Sequence, residues 1–207
     1  MRKLIPFLLL GLLAVAGGAF ALLGYSMGGS SVALGTAVAN TLGASGYTED
    51  LSQVSPQGSQ TAKVVYQAPD RLGGWIQSAG RRTHLVIIGS TEYVSVSASP
   101  STPNGKLVFY TQQTSGVQNV DPAHNYLAYW NRGPAVTSGD TTTVTLHQGG
   151  QTETLTFTVS GQYVSRFKAV TPGGTIVLDI SAVGSSPAVA LPKGATVRSG
   201  QPGQLGQ

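Results

Sequence analysis

Three histidines (His84, His124 and His147) and eight carboxylates are the residues with which this chain could do acid–base or metal chemistry. Asp121 and His124 stand three positions apart, and with a serine they would have the parts of a hydrolase triad. Such a triad, or a metal trio, needs side chains that converge, and the spacing gives no sign of it. His84 and His147 fall out of phase with the apolar positions of their own stretches, as solvated or hydrogen-bonded histidines do. The chain carries no phosphate loop, dinucleotide fingerprint or His-Glu-x-x-His. With no cysteine there can be no disulfide, thiolate metal site, cysteine nucleophile or lipid on an N-terminal cysteine. Neither an enzyme nor a cofactor is expected.

The elements that would position these residues come from a turn-rich chain. Only 10% of the 207 residues are charged, whereas 28 are glycine and 41% are apolar. That is enough for one core, or at most two domains. The net charge of +4 falls to +2 once Arg2 and Lys3 are set aside, leaving ten scattered cations against eight acids. Arg81-Arg82 is then the only adjacent basic pair, and no nucleic-acid partner is expected. In a turn, these two arginines are a solvated hairpin tip or, alternatively, a contact for phospholipid headgroups.

Arg2-Lys3 followed by the apolar run of residues 4–23 has the form of an export signal, and Ala19-Phe-Ala21 offers the small residues a signal peptidase reads. The run is about 20 residues, or about 30 Å of helix, so it could also remain as a membrane anchor with its cationic end inside. Both outcomes stay open, and both place the rest outside the cytoplasmic membrane. The expected division is a signal or anchor at 1–24, a linker at 25–31, one domain at 32–199 and a flexible tail at 200–207.

Val32, Leu34, Val38 and Leu42 repeat with partly helical spacing up to Gly43, which predicts one amphipathic helix. From Tyr47 the period changes to two, predicting strands over 47–55, 61–68, 72–78, 83–89, 92–98 and 106–112. Asp121-Pro122 then has the chemistry of a helix N-cap and first position, predicting a second short helix that reaches Trp130. Strands resume over 141–148, 152–160, 163–170 and 175–183. Thr154, Thr156 and Thr158 there alternate with Leu155, Phe157 and Val159, so one sheet face is wet and the other apolar.

About ten strands and two short helices give a mainly β (α+β) fold, a long antiparallel sheet that curls. Either its concave face is packed solid or an apolar cavity remains there. Lys63-Val-Val-Tyr-Gln-Ala-Pro-Asp-Arg-Leu72, Ile87-Ile-Gly-Ser-Thr-Glu-Tyr93 and the closing Ile180-Ser-Ala-Val-Gly184 with Pro187-Ala-Val-Ala-Leu-Pro192 resemble the LolA-like lipoprotein carrier superfamily, in particular its LppX/LprG-type envelope lipoproteins. The resemblance implies a half-barrel closed by helices, with an apolar cavity for acyl chains, and a lipid or acylated ligand as partner. Two departures from it are the missing lipidated cysteine and the short helical cover.

The lining expected on the concave face is Val64 and Tyr66, Leu85 and Ile87, and Phe109 from the first half. The second half adds Val144 and Leu146, Leu155, Phe157 and Val159, Phe167, and Ile176, Leu178 and Ile180. Tyr126, Tyr129 and Trp130 are read equally as a cavity mouth or as core. Asp70-Arg71 is expected to be a turn with a surface ion pair. The alternative to a lipid binder is a structural or sensory module of the same fold that binds a protein partner.

Overall fold

The computed structural model describes residues 31–97, 107–114 and 116–199. The leader, most of the linker and the tail lie outside that range. Helix α1 (Ser31–Leu42) precedes strands β1 (Gly46–Ser55), β2 (Gly58–Gln67), β3 (Arg71–Ser78), β4 (Arg81–Ile88), β5 (Thr91–Ser97) and β6 (Val108–Gln113). A 3-10 turn (Val117–Asn119) and helix α2 (Pro122–Leu127) lead to β7 (Ala135–Ser138), β8 (Thr141–Gln148), β9 (Gln151–Ser160), β10 (Tyr163–Thr171), β11 (Gly174–Ser181) and β12 (Thr196–Ser199). Among the described residues no helix is long and apolar enough to cross a membrane.

The strands form one open, curved sheet in the order β12-β6-β5-β4-β3-β2-β1-β11-β10-β9-β8-β7. Two meanders, β1–β6 and β7–β11, are joined where β1 pairs antiparallel with β11. The chain must therefore travel from β6, near one edge, to β7 at the other. It makes this crossing through the 3-10 turn and α2, which pack into the concave core along with α1. The sheet curls because long antiparallel sheets twist, and the concave side holds the apolar phase of each strand.

Register fixes which side chains share a rung across the concave face. One deep rung runs Phe157–Phe167–Leu178–Leu51–Ala62–Ile76. The next rung toward the β1–β2 and β10–β11 hairpins runs Leu155–Ala169–Ile176–Gln53–Gln60. The outermost contains Glu153 on β9, Thr171–Gly174 on β10 and β11, and Ser55 on β1. Gly174 has φ +140, and a Cβ there would collide with the Val54 carbonyl, so this rung is bare at β11. On α1, a Cβ at Gly35 would meet the Trp130 ring at 2.6 Å, so the missing side chain is what lets the ring approach the helix.

Several expectations need correction. Phe109 does not face the concave side. β6 pairs through Val94↔Tyr110 and Glu92↔Gln112, which puts Tyr110 and Gln112 inward and Phe109 outward. There Phe109 joins Val86 and Val189 in a second, smaller core beneath the C-terminal segment. Gln67 and Arg71 clamp that segment: Val189 N–H donates to Gln67 Oε1 at 3.0 Å and Arg71 Nη1 donates to the Val189 carbonyl at 3.3 Å. Arg71 is thus engaged with the C-terminal segment rather than in the expected ion pair with Asp70. Strands β7 and β12, four residues each, were not expected.

Candidate ligand groove

The residues singled out for chemistry come together in part. Tyr47, on the inner phase of β1, donates its hydroxyl to Asp121 Oδ2 at 2.7 Å and lies 3.1 Å from His124 Nδ1. Asp121 caps α2, accepting the His124 backbone N–H at 3.0 Å, and its Oδ2 lies 2.6 Å from His124 Nδ1. Two positions along β1, Glu49 accepts the Ala123 N–H at 2.6 Å. Burial first, and the neighbouring Asp121 charge second, push the Glu49 carboxyl well above its ordinary range, and a hydrogen bond to Asp121 adds to the effect. Burial likewise raises the Tyr47 phenol. Tyr47, Glu49 and Asp121 are all 0% exposed.

This cluster therefore resembles a dyad in connectivity alone. Tyr47 stands where a triad would have a serine, and no substrate can reach it. The Gly24-Tyr-Ser-Met-Gly28 run has the spacing of a nucleophile elbow but lies outside the described residues. The network anchors α2 to β1 by closing the orphan donors of the helix's first turn. His84 is half-buried on β4, its pKa lowered by burial and by Arg82, and His147 is exposed on β8. Among the described residues no group of three His, Asp or Glu could hold a metal.

The anchored α2 ends in Tyr126, and Tyr129 follows it. Together with the hairpin ends of β1, β9, β10 and β11, these enclose a groove of about 430 Å³. Its apolar wall is Leu155, Phe167, Ala169 and Ile176, to which the small Ala169 in mid-rung concedes space. Each of these is nearly fully buried, so it presents only an edge to the groove. Tyr126 stacks on Phe167 with centroids 5.5 Å apart. Of the expected lining, Leu155, Phe167 and Ile176 border the groove, as do Tyr126 and Tyr129 of the expected mouth.

Val64, Tyr66, Leu85, Ile87, Val144, Leu146, Phe157, Leu178 and Ile180 sit instead in the packed core, with Val159 and Trp130 against it. The concave face is solid over most of its area because α1, the 3-10 turn and α2 cover it. Among the residues that border the groove unforeseen are Gln53, Glu153 and Ala169. The first two carried a legible signal, a polar residue on an otherwise apolar strand phase. Glu153, in phase with Leu155 and Phe157, is pushed above the usual carboxylate range by burial. Tyr126, also buried, is pushed up to about 12. Beyond Gln53 the rung turns polar, and a second hollow of about 350 Å³ is lined there by glutamine, serine, threonine and turn residues.

No protein-family model and no curated protein sequence matches the chain. Solved structures do. LprF from Mycobacterium bovis aligns with 13% identity over 83% of this chain and 100% of that one, at a TM-score of 0.49. The lipoprotein LppX from Mycobacterium tuberculosis aligns with 13% identity over 77% of this chain and 97% of that one, at 0.51. At such identity the likeness speaks of architecture alone, and there it agrees with the resemblance read from the turns and closing strand: the chain has the LolA-like half-barrel fold that LppX has.

Proposed function

We propose that the protein is an extracytoplasmic binding protein that holds a lipid or lipid-linked molecule in the groove beside α2, without covalent chemistry. The observation that carries this reading is an apolar-walled groove of about 430 Å³ beside a concave face that is packed over most of its area. The driving force would be burial of hydrocarbon, about 0.8 kcal/mol per methylene removed from water. Residues 4–23 would export the chain or hold it at the membrane, and the half-barrel shared with the lipoprotein LppX supports the envelope as its place.

A second reading, a structural or sensory module for a protein partner, is favoured by the solid packing of the rest of the concave face. Native mass spectrometry with organic extraction separates the two, using the full-length chain purified from an envelope-bearing host. A stoichiometric co-purified lipid supports the first reading. A clean apoprotein mass, unchanged after incubation with membrane lipids, leaves the second.

A further inference from the structure

Several unpartnered polar atoms of the described residues border one groove. Among the described residues, three buried side-chain oxygens without a hydrogen-bond partner belong to residues bordering the groove, Gln53 Oε1, Tyr126 Oη and Glu153 Oε2, while Glu49 Oε2 and Asp121 Oδ1 lie together in the α2 anchor. Tyr126 is 5% and Glu153 9% exposed, so bulk water does little for either. An orphaned buried group is costly, and three around one groove call for a common explanation.

Register places two of them on opposite flanks. Gln53 is on β1 and Glu153 on β9, with β11 and β10 between, and the intervening rung is Ile176–Ala169–Leu155. Three inter-strand steps are about 14 Å along the sheet, and less across its concave side. The groove is thus apolar in the middle and bounded at each end by an unpaired oxygen, with the Tyr126 hydroxyl also at its border. At the roughly 30 Å³ that a water-sized group occupies, its volume holds about 14 such groups, one short chain rather than two or three.

We infer that the groove takes a single-chain molecule with a hydroxyl group toward each end, its hydrocarbon middle on Ala169 and its hydroxyls on Gln53 and Glu153. This rests on the groove-binding reading above and narrows it. A hydroxyl both donates to the Gln53 and Glu153 oxygens and accepts from Tyr126, whose phenol stays protonated. An ammonium cannot accept, and a carboxylate would face Glu153 with no Lys or Arg bordering the groove.

The test uses the full-length chain stripped of lipid and titrated calorimetrically with four probes of one length: 1,10-decanediol, 1-decanol, decanoate and 1,10-diaminodecane. The diol is expected to bind about tenfold more tightly than the mono-alcohol, as one more satisfied buried acceptor implies. Glu153→Leu and Gln53→Leu should each erase most of that ratio by bringing the diol down toward the affinity of the mono-alcohol. Both variants remove an unpaired polar group, so an undiminished melting temperature shows that loss of preference is not loss of fold. Equal binding of diol and mono-alcohol, tighter binding of the diamine or decanoate, or a ratio unmoved in both variants overturns the inference. If a diacyl phospholipid binds and the diol does not, the inference falls and the lipid-binding reading survives. If neither the probes nor the phospholipid bind, both fall.

Discussion

The concave face of this half-barrel buries a glutamate near each end, and the two are treated in opposite ways. Near the start of β1, Glu49 Oε1 receives a backbone N–H from α2, and its Oε2, which has no other partner, can be satisfied by the neighbouring Asp121 carboxyl when a proton lies between the two; Asp121 Oδ2 in turn serves Tyr47 and His124. Near the start of β9, Glu153 has an oxygen with no partner, beside an apolar groove. Buried carboxyls are kept at a cost, so a satisfied one is a structural anchor and an unsatisfied one asks for another role. The same residue type on the same sheet face thus reads as scaffold at one end and as site at the other.

The largest effect expected belongs to the satisfied end. Asp121→Ala removes the N-cap and strands the Tyr47 hydroxyl and the His124 N–H in a buried place. That should cost about 3 kcal/mol, or about 6–12 °C in melting temperature for a domain of this size. Asp121→Asn keeps an acceptor for the cap and should cost clearly less. A loss below about 1 kcal/mol for the alanine variant would show that α2 is held by packing alone.

The pH dependence of the same end comes next. Burial raises the Glu49 carboxyl in the folded state above the 4.5 it has when unfolded, so folding favours its protonated form. That contribution is present in full below pH 4.5 and is lost as pH rises through the raised folded value. Asp121, Tyr47 and the α2 backbone face the group, and among the described residues no cation is paired with it to offset the charge it gains. Melting temperatures followed upward from pH 5 should therefore fall less steeply in Glu49→Gln than in the natural chain. Parallel profiles would mean that Glu49 is not the titrating group.

Much of this architecture was legible because period-two alternation is a direct image of a sheet with one buried face. The strand read over 141–148 matches β8 to the residue, and the Asp-Pro start of α2 is read correctly from capping chemistry. Strands β7 and β12 escaped because four residues are too few to show a period, and Val136 and Val197 on them are exposed. Phe109 went to the wrong face because the loop ahead of β6 breaks the count of residues, and a strand's phase cannot be carried across it. The groove was illegible for another reason. Whether Leu155 meets a void or a neighbour depends on where α2 stops and on Ala169 being small, and neither is a property of β9. What the sequence did show, unread, was Glu49, Gln53 and Glu153 on apolar phases.

At the unsatisfied end the sign should reverse. Glu153→Leu replaces an unpaired buried carboxyl with a hydrocarbon of similar size, and about 1–2 kcal/mol of added stability is expected in chemical denaturation. A matching loss would mean that Glu153 has a structural partner after all.

The smallest effect sharpens the contrast most. Ala62 and Ala169 are both inward-facing alanines, 4% and 3% exposed, one in the deep rung between Leu51 and Ile76 and the other beside the groove. Enlarging an alanine in a close-packed core forces its neighbours off their rotamers and costs about 1–3 kcal/mol, so Ala62→Leu should destabilise by that much. At Ala169 the added carbons can enter the groove, and Ala169→Leu should change stability by less than about 1 kcal/mol while excluding a bound chain. Equal penalties at both sites would mean that the groove closes up in solution, leaving the face solid from end to end. A small penalty at Ala169 together with loss of chain binding would instead show that this space is kept open for an occupant.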